Sequence, residues 1–113
     1  MTDEKEEQKI AKLAEKKKTK QIIKLMEKAA PVVVIDALGE LAKIADEDAS
    51  NCITSYLDSE DKAIRVAACK AALVINTGYL QTQVRYVLNH EQDGEVRKQI
   101  IEALDEARNR PSL

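Results

Sequence analysis

Residues 61–75 read DKAIRVAACKAALVI, which is the pattern of a capped helix that packs closely against its neighbours. Asp61 stands where a side chain can accept hydrogen bonds from the first N–H groups of the helix. Arg65 follows one turn later, and small residues in the middle allow another helix to approach closely. A shorter repeat of this pattern, DGEVRKQIIEAL, covers residues 93–104. Repetition at a period of about 20–50 residues is typical of stacked helical units.

The repeated pattern can be aligned over three units of the sequence. Val34, Ile35, Ala37, Leu38 and Leu41 match Ala68, Cys69, Ala71, Ala72 and Ile75 at an offset of 34, and these match Ile100, Ile101, Ala103, Leu104 and Ala107 at an offset of 32. The preceding acids Glu27, Asp61 and Asp93 align as well. We therefore predict three antiparallel helix pairs, in which Asp61 and Asp93 cap helices. Arg65 and Arg97 are predicted to pair with an acid in the same or the adjacent turn.

Several residues mark the predicted helix ends. Pro31 suits the first turn of a helix, and the β-branched run 32–35 continues into a helical period rather than a strand. We expect Ser50 to cap the third helix, Gly78 to end the fourth and Pro111 to stop the last.

The composition excludes several classes of protein. The chain of 113 residues has no Phe or Trp, three Tyr, three Gly and two Pro, which disfavours a many-stranded sheet and favours an all-α fold. No apolar run reaches the ~18 residues of a membrane span, and the N-terminus is charged rather than signal-like. We expect a cytoplasmic protein.

Residues 1–18 are mostly charged, and we expect Ile10, Leu13 and Ala14 to be their only apolar contacts. We predict a charged extension that is partly helical or disordered, with its first dozen residues frayed or loosely docked. A repeat domain is predicted over 19–110.

Lysines recur at four-residue steps at Lys12, Lys16, Lys20, Lys24 and Lys28. On one continuous helix they would form a ridge able to bind a nucleic acid, an anionic membrane or an acidic protein. Glu15 and Glu27 interrupt this field, and no aromatic residue stands nearby to stack on bases. A solvated face is the favoured interpretation, and nucleic acid is the disfavoured partner.

Asp-x-x-(Ile/Val)-Arg followed by Ala-rich positions and a Leu resembles the HEAT repeat, in particular the short HEAT-like repeats of phycobilisome lyases. The resemblance covers roughly residues 22–109, and unit one departs from it by having Pro31 where Arg65 and Arg97 stand. It implies a short right-handed α-solenoid of about three helix pairs. Such repeats mostly act as binding scaffolds.

Metal and thiol chemistry have weak support. Cys52 and Cys69 are interpreted as core residues, since two thiols without nearby His ligands fall short of a zinc set. HEAT-like deoxyhypusine hydroxylases hold two irons with several His-Glu pairs. This chain has one such pair, His90-Glu91, which we place in a solvated turn.

The leading hypothesis is a non-enzymatic protein-interaction scaffold or adaptor without cofactor, metal or catalytic residues, monomeric or weakly dimeric. It predicts a binding groove lined by helices of one layer, carrying one sign of charge. The alternatives are a lyase-like enzyme or accessory subunit, and binding of nucleic acid or an acidic partner by the lysine ridge.

Overall fold

The computed structural model describes residues 2–110. Its seven helices are α1 (Thr2–Glu15), α2 (Thr19–Met26), α3 (Pro31–Ile44), α4 (Glu47–Tyr56), α5 (Lys62–Ile75), α6 (Gly78–His90) and α7 (Gly94–Asn109). The predicted helix over 32–35 is therefore confirmed. Pro111, predicted to end the last helix, lies outside the described residues. Over the described part, no helix has the length and apolar character needed to cross a bilayer.

The helices form two layers. In one layer α1, α3, α5 and α7 pack side by side in that order, and in the other α2 packs against α4. The pairs α2–α3, α4–α5 and α6–α7 are units one, two and three. The prediction of an all-α solenoid of three helix pairs is thereby confirmed.

The helix α1 corrects one expectation. We expected the first dozen residues to be frayed or loosely docked, but α1 packs against α3 and α2. Ile10 has no exposed surface, and Leu13 and Ala14 are partly buried against the core. These three apolar residues lie on one side of the helix, so they suffice to dock it although the rest of the segment is charged.

The core is mainly aliphatic, with Met26, Cys52 and Cys69 among its buried residues. Alanine makes up much of the buried surface of α5, since Ala68 and Ala72 are fully buried and Ala71 nearly so. Small side chains at these positions bring α5 close to α3, α4, α6 and α7, all of which it contacts. Unit two is therefore the centre of the stack.

Two predicted helix ends were wrong. The cap of α4 is Asp46, whose side chain accepts from Ala49 N at 2.8 Å, and Ser50 lies inside the helix. Asn76, not Gly78, ends α5 with φ of 62°. Gly78 instead begins α6, capped by Thr77. Asn tolerates the left-handed conformation because its short polar side chain can bond locally, and Asn76 Oδ1 here accepts from Gln81 Nε2.

Unit one departs from the others at its helix start. Pro31 occupies the first turn of α3, as predicted, and the N-cap position is Ala30. The aligned acid Glu27 lies at the C-terminal end of α2 and makes no cap for α3. This departure agrees with an atypical first unit.

Candidate functional site

The two aspartates singled out in the sequence both cap helices. Asp61 Oδ1 accepts from Ile64 N at 3.1 Å, and Asp93 Oδ1 accepts from Val96 N at 2.9 Å. Each carboxylate satisfies an N–H group that has no partner within its own helix. The oxygen Asp93 Oδ2 also accepts a hydrogen bond from Lys62 Nζ at 2.6 Å. This hydrogen bond is the main cause of the lowered pKa of Asp93.

Arg65 forms a two-pronged ion pair with Glu91. Its Nε and Nη2 donate to the two carboxylate oxygens of Glu91, both at 2.9 Å. Its Nη1 donates to the carbonyl oxygens of Ser59 and Glu60, so one guanidinium fastens the α4–α5 turn to the α6–α7 turn. The Glu91 side chain is only 6% exposed, and the Arg65 hydrogen bonds are the main cause of its lowered pKa.

Arg97 is used differently. Its Nη1 donates to the carbonyl oxygens of Leu88 at 2.6 Å and Glu91 at 3.3 Å, and so it holds the C-terminal end of α6. We predicted an acid as its partner, but within residues 2–110 its hydrogen bonds go to these carbonyls. The nearby carboxylate, Glu91, is already taken by Arg65. All four side chains thus make hydrogen bonds that cap helices or hold the turns between them.

The lysines do not form one ridge. The helix α1 ends at Glu15, and Lys17 takes a left-handed conformation with φ of 55°, which reverses the chain before α2. Of the predicted set, Lys12 lies on α1, Lys20 and Lys24 lie on α2, and Lys16 and Lys28 lie in turns. All five are exposed. The condition for a single ridge, one continuous helix through all five lysines, is therefore not met.

The cysteines are free and buried. Burial raises the pKa of Cys52 to about 11 and that of Cys69 to about 12, so both thiols stay protonated at neutral pH. A protonated thiol is a poor nucleophile and a poor metal ligand. Cys69, with no exposed surface, fills core space between helices.

His90 is the last residue of α6 rather than a turn residue. Its Nδ1 lies 2.9 Å from the carbonyl oxygen of Tyr86 and donates to it in the matching tautomer. Its partner in sequence, Glu91, faces Arg65 instead. In the described part of the chain, no group of three or more His, Cys, Asp or Glu residues is placed to hold a metal ion.

The exposed side of the α5–α7 contact carries two clefts of about 520 and 400 Å³, and Lys70 lines both. We call the two together the α5–α7 groove. Its apolar lining comes from Ile35, Ala63, Val66, Ala67, Leu73, Val74, Val96 and Ala103. Its basic residues are Lys62, Lys70 and Arg110, and its acids are Asp93, Glu95 and Glu106. The α5–α7 groove therefore carries both signs of charge.

Sequence reasoning missed the role of Glu91, which it considered only as part of a metal-binding pair. The partner of Glu91 lies 26 residues earlier in the chain. The sequence contains a weak signal for this role. Glu91 lies two residues before Asp93, in the α6–α7 turn. When the units stack, this turn must lie next to the α4–α5 turn, which precedes Arg65.

Two layers of antiparallel helices, tied turn to turn by aspartate and arginine, define a helical-repeat protein of the α-solenoid class. A family model described as HEAT repeats matches residues 19–105, and the chain belongs to this family. The match does not specify the phycobilisome lyase subtype. Comparison with the curated proteins gives no match, and comparison with the solved structures gives none either.

Proposed function

We propose that this protein is a non-enzymatic interaction module that binds a helical segment of a partner protein in the α5–α7 groove. HEAT repeats generally mediate protein–protein interaction, which supports the class of function. The observation that carries the proposal is the apolar lining that continues past Lys70 from one cleft to the next.

The lining suits a helix as the bound element. Ala63 is exposed, Ala67 is half-buried, and both are small, so the backbone of a partner helix can approach closely. Val74 is 52% exposed at the other end of the groove and offers an apolar contact there. A helix of the length of α5, 14 residues, would span about 20 Å along this face.

The charges of the groove suit a partner helix that carries both signs. Lys62 and Asp93 already bond to each other at one end, whereas Lys70 stands in the middle. Such a rim contributes to orientation and specificity more than to affinity. The Arg65–Glu91 pair joins α5 to the α6–α7 turn and has a structural role in this proposal.

The test is a selection of displayed helical peptides on the whole protein, followed by affinity measurement with Ala63→Arg. Since Ala63 is exposed, the arginine should fill the groove without disturbing the core, and thermal unfolding checks this. Selected peptides should bind at least about tenfold more weakly to the variant, the loss expected when the arginine blocks the Ala63 end of the groove.

Ala11→Arg is the matched control, because Ala11 is an exposed alanine on α1, outside the α5–α7 groove. It should leave the affinity unchanged. Equal affinity of the selected peptides for the wild type and Ala63→Arg would overturn the placement of the site in the α5–α7 groove.

A further inference from the structure

Helix α6 carries on one face a stripe of two exposed tyrosines, one exposed histidine and one half-buried glutamine. Tyr79, Gln83, Tyr86 and His90 follow one another at steps of four, three and four residues, which places them on one face of the helix. Tyr79 is 63% exposed and Tyr86 is 62% exposed. The chain has only three aromatic residues, so most of its aromatic surface lies on this stripe rather than in the core.

The stripe borders a cleft of about 630 Å³ between α4 and α6, which we call the α4–α6 cleft. Helix α4 packs against α2, α3 and α5, whereas α6 packs against α5 and α7, and the cleft occupies the space between them. Leu57, which is buried, and Val87, which is half-buried, give it an apolar lining beside Tyr86. The α4–α6 cleft lies in the other layer from the α5–α7 groove.

Two rings of the stripe are held in place before any partner arrives. The rings of Tyr86 and His90 lie 4.2 Å apart, centroid to centroid, with an angle of 33° between their planes. The bond from His90 Nδ1 to the Tyr86 carbonyl fixes the imidazole further. Ordered aromatic side chains lose little rotamer freedom on binding, which makes them effective anchors in protein interfaces.

The charge of the cleft is unbalanced. Asp58 and Glu60 are exposed along its edge, and within residues 2–110 neither takes part in an ion pair. Arg65 also lines the cleft, but its guanidinium is engaged by Glu91 and by two carbonyl oxygens. The Arg65–Glu91 pair is neutral as a unit. The cleft therefore presents apolar and aromatic surface with two free carboxylates.

We propose that the α4–α6 cleft binds a basic segment of a partner protein. A lysine or arginine of the segment meets Asp58 and Glu60, and a neighbouring apolar side chain packs against Leu57, Val87 and the ring of Tyr86. A cation lying over the Tyr86 face gains a further cation–π attraction. This second surface rests on the proposed interaction function and adds to it the chemistry of a partner, a basic segment.

The test is a selection of short displayed random peptides on the whole protein, followed by affinity measurements at two salt concentrations. The selected peptides should be rich in Lys and Arg beside apolar residues. The double variant Asp58→Asn with Glu60→Gln should weaken their binding at least about tenfold and reduce its salt dependence. Tyr86→Ala should weaken it similarly without changing the salt dependence.

The control variant is Glu102→Gln with Asp105→Asn, which removes the same two residue types from the exposed surface of α7 and should leave affinity unchanged. Selection of acidic or uncharged peptides, absence of any enrichment, or undiminished binding by Asp58→Asn with Glu60→Gln would each overturn the inference. Binding that is lost in Ala63→Arg but kept in the Asp58/Glu60 variant would overturn it while supporting the α5–α7 groove. The reverse result would support the cleft, and the α5–α7 groove is decided separately by the helical peptides.

Discussion

The two junctions between units are held by different chemistry. Units two and three are joined by charged side chains, since Arg65 pairs with Glu91 and Lys62 pairs with Asp93. Units one and two are joined by packing and by a hydroxyl, since Thr19 Oγ1 donates to Asp46 Oδ2 at 2.7 Å. The aspartates at the two junctions act alike, because Asp46 and Asp93 each cap a helix with Oδ1 and reach the preceding unit with Oδ2.

The difference shows that neighbouring units of the same repeat can be joined in two ways. Where the motif has its arginine, a buried two-pronged pair fixes the distance and register of neighbouring turns. Where Pro31 replaces that arginine, α3 lacks a side-chain cap, and α1 supplies extra apolar contact instead. Unit one should therefore depend on packing, and the junction of units two and three on polar contacts.

The largest expected effect comes from removing packing at the N-terminal end. Ile10→Ala should lower the free energy of unfolding by about 4 kcal/mol, because Ile10 is fully buried. Truncating it loses the transfer free energy of the removed atoms and leaves a cavity. Urea unfolding measures it. Ile101→Ala is the matched control, since Ile101 is 42% exposed, and should cost far less. Equal losses in the two variants would mean that α1 is not part of the cooperative core.

A smaller loss should follow at the polar junction. Arg65→Met should cost about 3 kcal/mol, because it leaves the Glu91 carboxylate buried without its cation. Urea unfolding at neutral pH measures this loss as well. Lys62→Met, which breaks an ion pair whose lysine side chain is 64% exposed, should cost less. If both variants lost the same amount, burial of the Arg65–Glu91 pair would not be what stabilises the junction.

The same contact has a pH signature. The pKa of Glu91 lies below its ordinary value of 4.5 in the folded protein, so the unfolded chain takes up a proton first as the pH falls. The stabilisation from Glu91 is full above about pH 4.5 and is lost as the pH drops through the lowered pKa. Arg65→Met should therefore flatten the acid side of the stability profile, and an unchanged slope would contradict the assignment.

Local contacts could be predicted from the sequence, whereas contacts between units could not. Asp61 and Asp93 bond to N–H groups three residues away, so the residue type and its place before a helix were sufficient. The pairing of Arg65 with Glu91 depends on how far the α6–α7 turn lies from the α4–α5 turn. That distance follows from the packing of alanine-rich faces, which a sequence pattern does not fix.

The candidate surfaces were harder to predict than the fold for the same reason. The lysine spacing is regular in the sequence, but Lys17 reverses the chain and separates Lys12 from Lys20. The tyrosine spacing on α6 is visible in the sequence as well. The α4–α6 cleft, however, forms only because α4 lies beside this face of α6. Binding of an acidic partner by the five lysines stays a prediction.

The smallest predicted effect would make unit one resemble the others. Ala30 has the extended backbone of an N-cap, with φ of −66° and ψ of 155°. The N–H of Val33 already bonds to the carbonyl oxygen of Ala30, so a serine at this position can accept a hydrogen bond from the N–H of Val32 instead. Ala30→Ser should therefore raise the free energy of unfolding by about 1 kcal/mol. Ala29→Ser, one residue earlier and outside the cap position, should give no gain in urea unfolding. A gain of the same size at both positions would mean that the missing cap is not what distinguishes unit one. A gain confined to Ala30→Ser would show that unit one accepts the same cap chemistry as the aspartate-capped helices, although it differs from them in how it joins its neighbour.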